Sequence, residues 1–176
     1  YRATLDICRE RANGSLEMGI VGEAFADLAL EIADFKTADT QIRENMSIWE
    51  KLAAETTFHL DKVERQLSEA NQKDRLVVQG LDNQVSDLRR ELAYYHARLA
   101  HSYVAVGEIA RATGDQSAAE KAFDKALEYV RSGQSGQRSK LPEVLRRRAL
   151  MKIDAGNLAE AGDDLARALT MAVEDN

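Results

Sequence analysis

Proline, cysteine and aromatic residues are scarce in this sequence. Proline and cysteine occur once each, as Pro142 and Cys8, and aromatic residues make up 6% of the 176 positions. The lone cysteine excludes an internal disulfide and is typical of a reducing compartment. So little proline, beside abundant Ala, Leu, Glu and Arg, favours helices over sheets.

Long apolar runs and an excess of positive charge are missing too. No run approaches the roughly 18 residues that a membrane-spanning helix needs, and no secretion signal is visible. The net charge of −6 argues against a generic binder of nucleic acid or anionic membranes. We therefore expect a cytoplasmic protein with no membrane insertion and no nucleic-acid partner.

Motifs that carry chemistry are also absent. His96 and His101 are so spaced that a helix would place them on different faces, and they predict no metal site. Gly133 and Gly136 lack the Lys-Ser/Thr sequel of a phosphate-binding loop. Cys8 has no nearby histidine in sequence to activate it. The sequence predicts no catalytic residue, no metal ligand and no cofactor, and thus a protein that is not an enzyme.

What the chain does contain is a two-helix pattern between positions 100 and 131. Small and large apolar residues are spaced around a Gly114-Asp115 turn so that two helices can approach closely. Seven positions carry the pattern: Tyr103, Val106, Gly107, Ala110, Ala119, Phe123 and Ala126. This stretch resembles the tetratricopeptide repeat. It departs from that family in one respect, because Arg131 stands where a proline often follows the second helix.

The resemblance implies an all-α fold of antiparallel helix pairs, stacked as a short right-handed solenoid. Such pairs cannot bury their apolar stripes alone and must stack. Further repeats match less closely. Residues 1–12 look like the second helix of a truncated repeat, and 142–173 form a final repeat. Residues 19–55 form a degenerate repeat, with helices expected at about 19–33 and 36–55. We predict a single helical domain that is a fragment of a longer protein.

Between residues 57 and 99 apolar residues recur every three or four positions, which is typical of a coiled-coil seam, and Asp74 breaks this seam. We predict a long helical insert here, and two structures satisfy the pattern. In one, Gly80 ends a helix and Asp82 or Asn83 caps the next, which gives an antiparallel hairpin. In the other, a single unbroken helix covers 58–112. The hairpin is the favoured prediction.

In the tetratricopeptide-repeat family the first helix of each pair lines a concave groove, where partners usually dock. Carried over by position, the resemblance implies that seven residues face such a groove: His101, Val104, Glu108, Arg111, Arg146, Arg147 and Leu150. Guanidinium groups in the Arg146–Arg148 run suit carboxylates, so an acidic peptide is the sharpest hypothesis for the partner. The competing explanation pairs these arginines with Glu143 and Asp154.

These observations predict a non-catalytic scaffold that docks a peptide or a partner protein. The segments 49–55 and 98–103 further resemble the degenerate repeats attached to bacterial serine/threonine kinases, although the kinase signatures themselves are absent. That resemblance implies a regulatory region of a larger signalling protein. The alternative is a homodimer in which the seam 60–99 pairs with its own copy, and it requires an exposed apolar stripe on the single chain.

Overall fold

The computed structural model describes residues 14–70, 74–132 and 140–174, together with Ala3, Asp6, Ile7 and Glu10. The described residues form helices joined by turns, which confirms the prediction of an all-α chain. Of the predicted repeat helix at 1–12 only those four residues are described, and the glycine-rich stretch at 133–137 lies outside the described residues. None of the helices in the described ranges is both long and apolar enough to cross a bilayer.

Six helices can be delimited in this part of the chain. They are α1 (Leu16–Glu31), α2 (Phe35–Glu69), α3 (Arg75–Ala112), α4 (Gln116–Ser132), α5 (Leu141–Asp154) and α6 (Leu158–Glu174). Each packs against the next one along the chain, and α3 also touches α5. The first of them covers most of its predicted span, whereas α2 continues well beyond the predicted end at residue 55.

Most of these helices begin where the sequence offers a capping side chain. Ser15, Asp34, Asp74 and Asp115 each accept a hydrogen bond from the backbone amide three residues further on. Such caps satisfy amides that have no partner within the helix. Pro142 lies in the first turn of α5, where its missing N–H leaves no hydrogen bond unmade.

Three tight turns share one geometry and divide the helices into pairs. The turns join α1 to α2, α3 to α4 and α5 to α6, and each holds one residue in the left-handed region. The φ angles are 57° at Ala33, 82° at Gly114 and 79° at Gly156. In each turn the next residue donates its amide to the carbonyl oxygen five positions back, at 2.8 to 2.9 Å. Because the three turns have the same geometry, the three helix pairs resemble one another.

The long hairpin is present, but its turn was predicted at the wrong place. One helix ends at the cap Ala70 and the next begins at the cap Asp74, so the two helices of the hairpin are separated before Asp74 and not at Gly80. Gly80 lies inside α3 with open space around it, and such a glycine costs a helix only about 1 kcal/mol. The cap from Asp74 sets the start of α3 instead. The unbroken helix over 58–112 is also wrong, and α2 passes through 55–57 without interruption.

We call residues 56–69 of α2 and 75–90 of α3 the arm. The two helices of the arm pack on each other, with Leu60 and Val85 buried between them. Arg89 Nη2 donates to Glu64 Oε1 across the arm at 2.7 Å. The coiled-coil seam of the sequence is therefore filled, along most of its length, by the chain itself.

The core lies at the base of the arm and between the helix pairs. Trp49 is fully buried, with the rings of Tyr94 and Tyr95 at 6.3 and 6.2 Å. Further along, Phe123 is fully buried against Gly107, where an added Cβ would meet its ring at 2.9 Å. A small residue opposite an aromatic ring thus lets α3 and α4 pack closely, as the sequence pattern predicted.

Candidate functional site

The first helices of the three pairs, α1, α3 and α5, lie side by side and run in the same direction. Polar side-chain contacts between neighbouring helices show this, since the residue numbers of the partners rise together along both helices. The pairs are Glu23–Arg98 and Asp27–His101 between α1 and α3, and Glu108–Arg147 and Arg111–Asp154 between α3 and α5. The three helices therefore present one continuous surface.

An open groove of about 750 Å³ follows this surface. Its apolar lining residues are buried or half-buried, and most of its charged ones are exposed. The apolar members include Leu30, Ala97, Ala100, Val104, Ala105, Val130 and Val144. The charged members are Asp27, Glu31, Arg98, Glu108, Lys140, Glu143 and Arg147, and His101 lies among them. Apolar area beside directional polar groups is what a binding groove needs.

One end of the groove is built around Glu23, a buried carboxylate behind the wall. Its Oε2 accepts a hydrogen bond from Arg98 Nη1 at 2.8 Å, while its buried Oε1 makes no hydrogen bond. His101 Nε2 lies 3.9 Å from that Oε1 and 3.3 Å from Asp27 Oδ1. Burial raises the pKa of Glu23 above its ordinary value, against the opposing influence of His101 and Arg98. The guanidinium of Arg98 also lies 4.8 Å from the ring centre of Tyr94.

The other end of the groove is a set of paired charges on α3 and α5. Glu143 accepts hydrogen bonds from Arg146 at 2.8 Å and from Arg147 at 2.7 Å. The bond from Arg146, opposed by burial and supported by Arg147, lowers the pKa of Glu143 to about 2. Glu108 joins the two helices through its contact with Arg147 at 3.4 Å, and it also contacts Arg111 of its own helix at 2.9 Å. The guanidinium groups here already have carboxylate partners.

Four of the seven predicted residues line the groove. They are His101, Val104, Glu108 and Arg147. Arg111 and Arg146 stand beside it, held by Glu108 and Glu143 respectively. Leu150 lies outside the lining and is exposed. The competing explanation paired the arginine run with Glu143 and Asp154. Arg146 and Arg147 do pair with Glu143, whereas Asp154 pairs with Arg111.

The third arginine of the run points away from the groove. Arg148 donates to both carboxylate oxygens of Asp164 at 2.6 and 2.8 Å, and it also contacts Asp124. Lys152 Nζ lies 3.1 Å from the same Asp164. This buried cluster ties α5 to α4 and α6. Three consecutive arginines thus serve two different faces of one helix, because successive residues on an α-helix are about 100° apart.

The wall contributed by α1 was missed by sequence reasoning. Aligning the like turns at Asp34 and Asp115 places Asp27 at the position of Glu108, and Glu23 at that of Val104. That alignment was available from the sequence, but the weak match of the degenerate repeat hid it. Nothing in the sequence indicates that Arg98 and Lys140 line the groove, because their place in it depends on how neighbouring helix pairs are offset from one another.

Neither the comparison with protein-family models nor the search of curated proteins finds a match for this chain. Among the described residues, no group of three or more His, Cys, Asp or Glu side chains is arranged to hold a metal ion. The groove between α1, α3 and α5, where apolar side chains lie beside charged ones, is the candidate site.

Proposed function

We propose that this chain is a non-catalytic interaction scaffold that docks a peptide or partner protein in the groove between α1, α3 and α5. The proposal includes a short solenoid of tetratricopeptide-like repeats as the scaffold. It also includes the role expected from the sequence, namely the regulation of a larger signalling protein to which the repeats belong.

One observation carries this proposal: the first helix of every pair lines the same groove. Three pairs with alike turns place α1, α3 and α5 in parallel, and the lining combines apolar residues with charged groups. A repeat array whose first helices share one concave surface is suited to extended ligands. The volume of about 750 Å³ is enough for several side chains of a peptide.

The charges of the groove indicate a partner of mixed charge. Arg147 and Arg98 each have a carboxylate partner, so a uniformly acidic peptide would have to displace Glu143, Glu108 or Glu23. Exposed Asp27 and Glu31 on α1 are of the opposite sign. We propose that the apolar lining supplies most of the affinity, while the charges orient the bound chain.

The test is to select ligands from a phage-displayed library of random linear peptides and to measure their affinities by fluorescence anisotropy. We expect dissociation constants of about 1 to 100 µM, as is usual for short peptides in preformed grooves. Ala97→Trp and His101→Trp, which fill the groove from α3, should each weaken binding at least about tenfold, or about 1.4 kcal/mol.

Leu76→Trp is the matched control, because it adds the same ring to an exposed residue at the tip of the arm, away from the groove. Its affinity for the selected peptides should equal that of the unmodified chain. Circular dichroism would establish that all three variants keep their helicity. Peptides that bind the groove-filled variants as tightly as the control would rule the groove out as the docking site.

The homodimer through the seam 60–99 is not the function we propose. Leu60, Val85 and Leu99 are buried within a single chain, and of the seam only the tip of the arm leaves an apolar side chain such as Val77 exposed. That alternative needed an exposed apolar stripe along the whole seam.

A further inference from the structure

A strip of exposed aliphatic residues runs along α6, the last helix described. Leu158, Leu165 and Leu169 are 67%, 41% and 68% exposed. Gly162 lies on the same strip, with no atom within 4 Å of the place where its Cβ would be. Helix geometry puts these four residues on one face, and the neighbouring Ala159 and Ala166 are exposed and uncharged as well. Leu150 and Ile153 of α5 are also exposed beside the turn into α6.

The preceding helix pair shows what covers such a face. Leu165 and Leu169 of α6 occupy the repeat positions of Phe123 and Leu127 on α4, which are 0% and 2% exposed. Those two are covered by α5: Phe123 shares a cluster with Met151, and Leu127 shares one with residues 141–145. The face of α6 therefore carries apolar residues where the preceding pair has a helix–helix interface, but no helix in the described part of the chain covers it.

The strip is also complementary to itself. Its residues follow one another at intervals of four, three and four, and this spacing reads the same in both directions. When two copies of α6 are laid antiparallel, Leu158 of one copy meets Leu169 of the other, and each Leu165 meets a Gly162. The open space at Gly162 accepts the larger side chain and allows the helices to approach closely. No charge of the strip is brought against its own copy.

We propose that a second copy of this chain covers this face, so that the protein forms a dimer by pairing α6 with α6 across a two-fold axis. A closed two-fold contact is the commonest way in which a soluble chain covers a self-complementary surface. The contact is remote from the arm, and it leaves the groove open. It is therefore distinct both from the seam dimer and from peptide docking.

The first experiment is sedimentation velocity on the full chain from about 1 µM to about 1 mM, which spans weak to tight dimers. We expect the mass to rise from 19.6 kDa to twice that value. A single mass of 19.6 kDa throughout this range would overturn the proposal.

Substitution then locates the contact. Leu165→Lys should raise the dimer dissociation constant at least about tenfold, because it places two charges at the two-fold axis. Leu169→Lys serves as a second variant at a more exposed position, in case the first loses stability. Leu76→Lys, on the arm, is the control and should dimerise normally. A dimer that is lost in the Leu76→Lys variant but kept in both α6 variants would refute the α6 contact, as would a dimer that none of them affects.

Disulfide trapping tests the direction of the pairing. In a Cys8→Ser background, a Leu158→Cys chain mixed with a Leu169→Cys chain should form the mixed disulfide under mild oxidation. Neither variant alone should cross-link to a comparable extent, because like positions lie at opposite ends of an antiparallel pair. Preferential self-cross-linking would mean parallel helices and would contradict the proposed two-fold axis.

Discussion

At the scale of single residues, two buried carboxylates behave in opposite ways. Burial alone would raise the pKa of Asp164, but hydrogen bonds from Arg148 and Lys152 overcome it and hold that pKa below its ordinary value. Glu23 is buried too, but only one of its oxygens accepts a hydrogen bond, and its pKa is raised. The number of donors, more than the depth of burial, decides whether a buried acid supports the fold.

Asp164→Asn should lower the free energy of unfolding by about 3 kcal/mol at pH 7, because it leaves the buried Arg148 and Lys152 without their shared anion. The lowered pKa means that this stabilisation is present above the unfolded-state pKa of about 3.9 and is lost as the pH falls through the folded-state value. Urea titrations measure the free energy of unfolding of the unmodified chain and of the Asp164→Asn variant. The two values should differ most at pH 7, and the difference should shrink below pH 4.

Glu23→Gln is the matched control for that measurement. Since the raised pKa of Glu23 means that the fold favours its neutral form, the neutral amide should leave stability at pH 7 unchanged or higher. The unmodified chain loses stability as the pH rises from the unfolded-state pKa through the folded-state pKa of Glu23, and the variant should not show that loss. A Glu23→Gln chain weakened as much as Asp164→Asn would contradict this account.

At the scale of helices, two glycines of α3 have opposite roles. An added Cβ on Gly107 would meet the ring of Phe123 at 2.9 Å, whereas Gly80 has open space. Gly107→Ala should therefore destabilise the chain by about 1 to 3 kcal/mol through overpacking. Gly80→Ala should stabilise it by about 0.5 to 1 kcal/mol, because glycine is a poor helix residue. Thermal unfolding followed by circular dichroism measures both, and equal effects of the two would refute the close packing of α3 on α4.

The sequence predicted helix packing best where the contacting residues are close together in the chain. Gly107 and Phe123 belong to one helix pair, so their contact was readable from their spacing. The start of α3 at Asp74 was not readable in this way, because Gly80 is the more conspicuous helix breaker and the cap at Asp74 is a weaker local signal. The wall of the groove on α1 also escaped prediction, because the degenerate repeat matches the family too weakly to align Asp27 with Glu108.

At the scale of the whole molecule, the helices of the arm are less covered than those of the other described residues, which we call the body. In the body most helices pack against two or more others, whereas in the arm α2 and α3 pack only against each other. Leu60 and Val85 are the two large apolar side chains of the arm that are buried, at 9% and 5% exposure. Local opening costs least where few apolar contacts are lost.

Hydrogen–deuterium exchange should therefore divide α3 into two parts. Amides of 76–88 should exchange faster than those of 95–110, although both segments belong to one continuous helix. Mass spectrometry of peptic fragments resolves this difference. Uniform protection along α3 would show that the arm is covered by something other than its own two helices.

The continuity of α3 has a mechanical consequence. Its 38 residues span about 57 Å at about 1.5 Å per residue, with the arm at one end and the groove at the other. Because no loop interrupts α3 between these two ends, we expect a load applied to the tip near Leu76 to displace the groove wall at His101 and Glu108, with the arm acting as a lever.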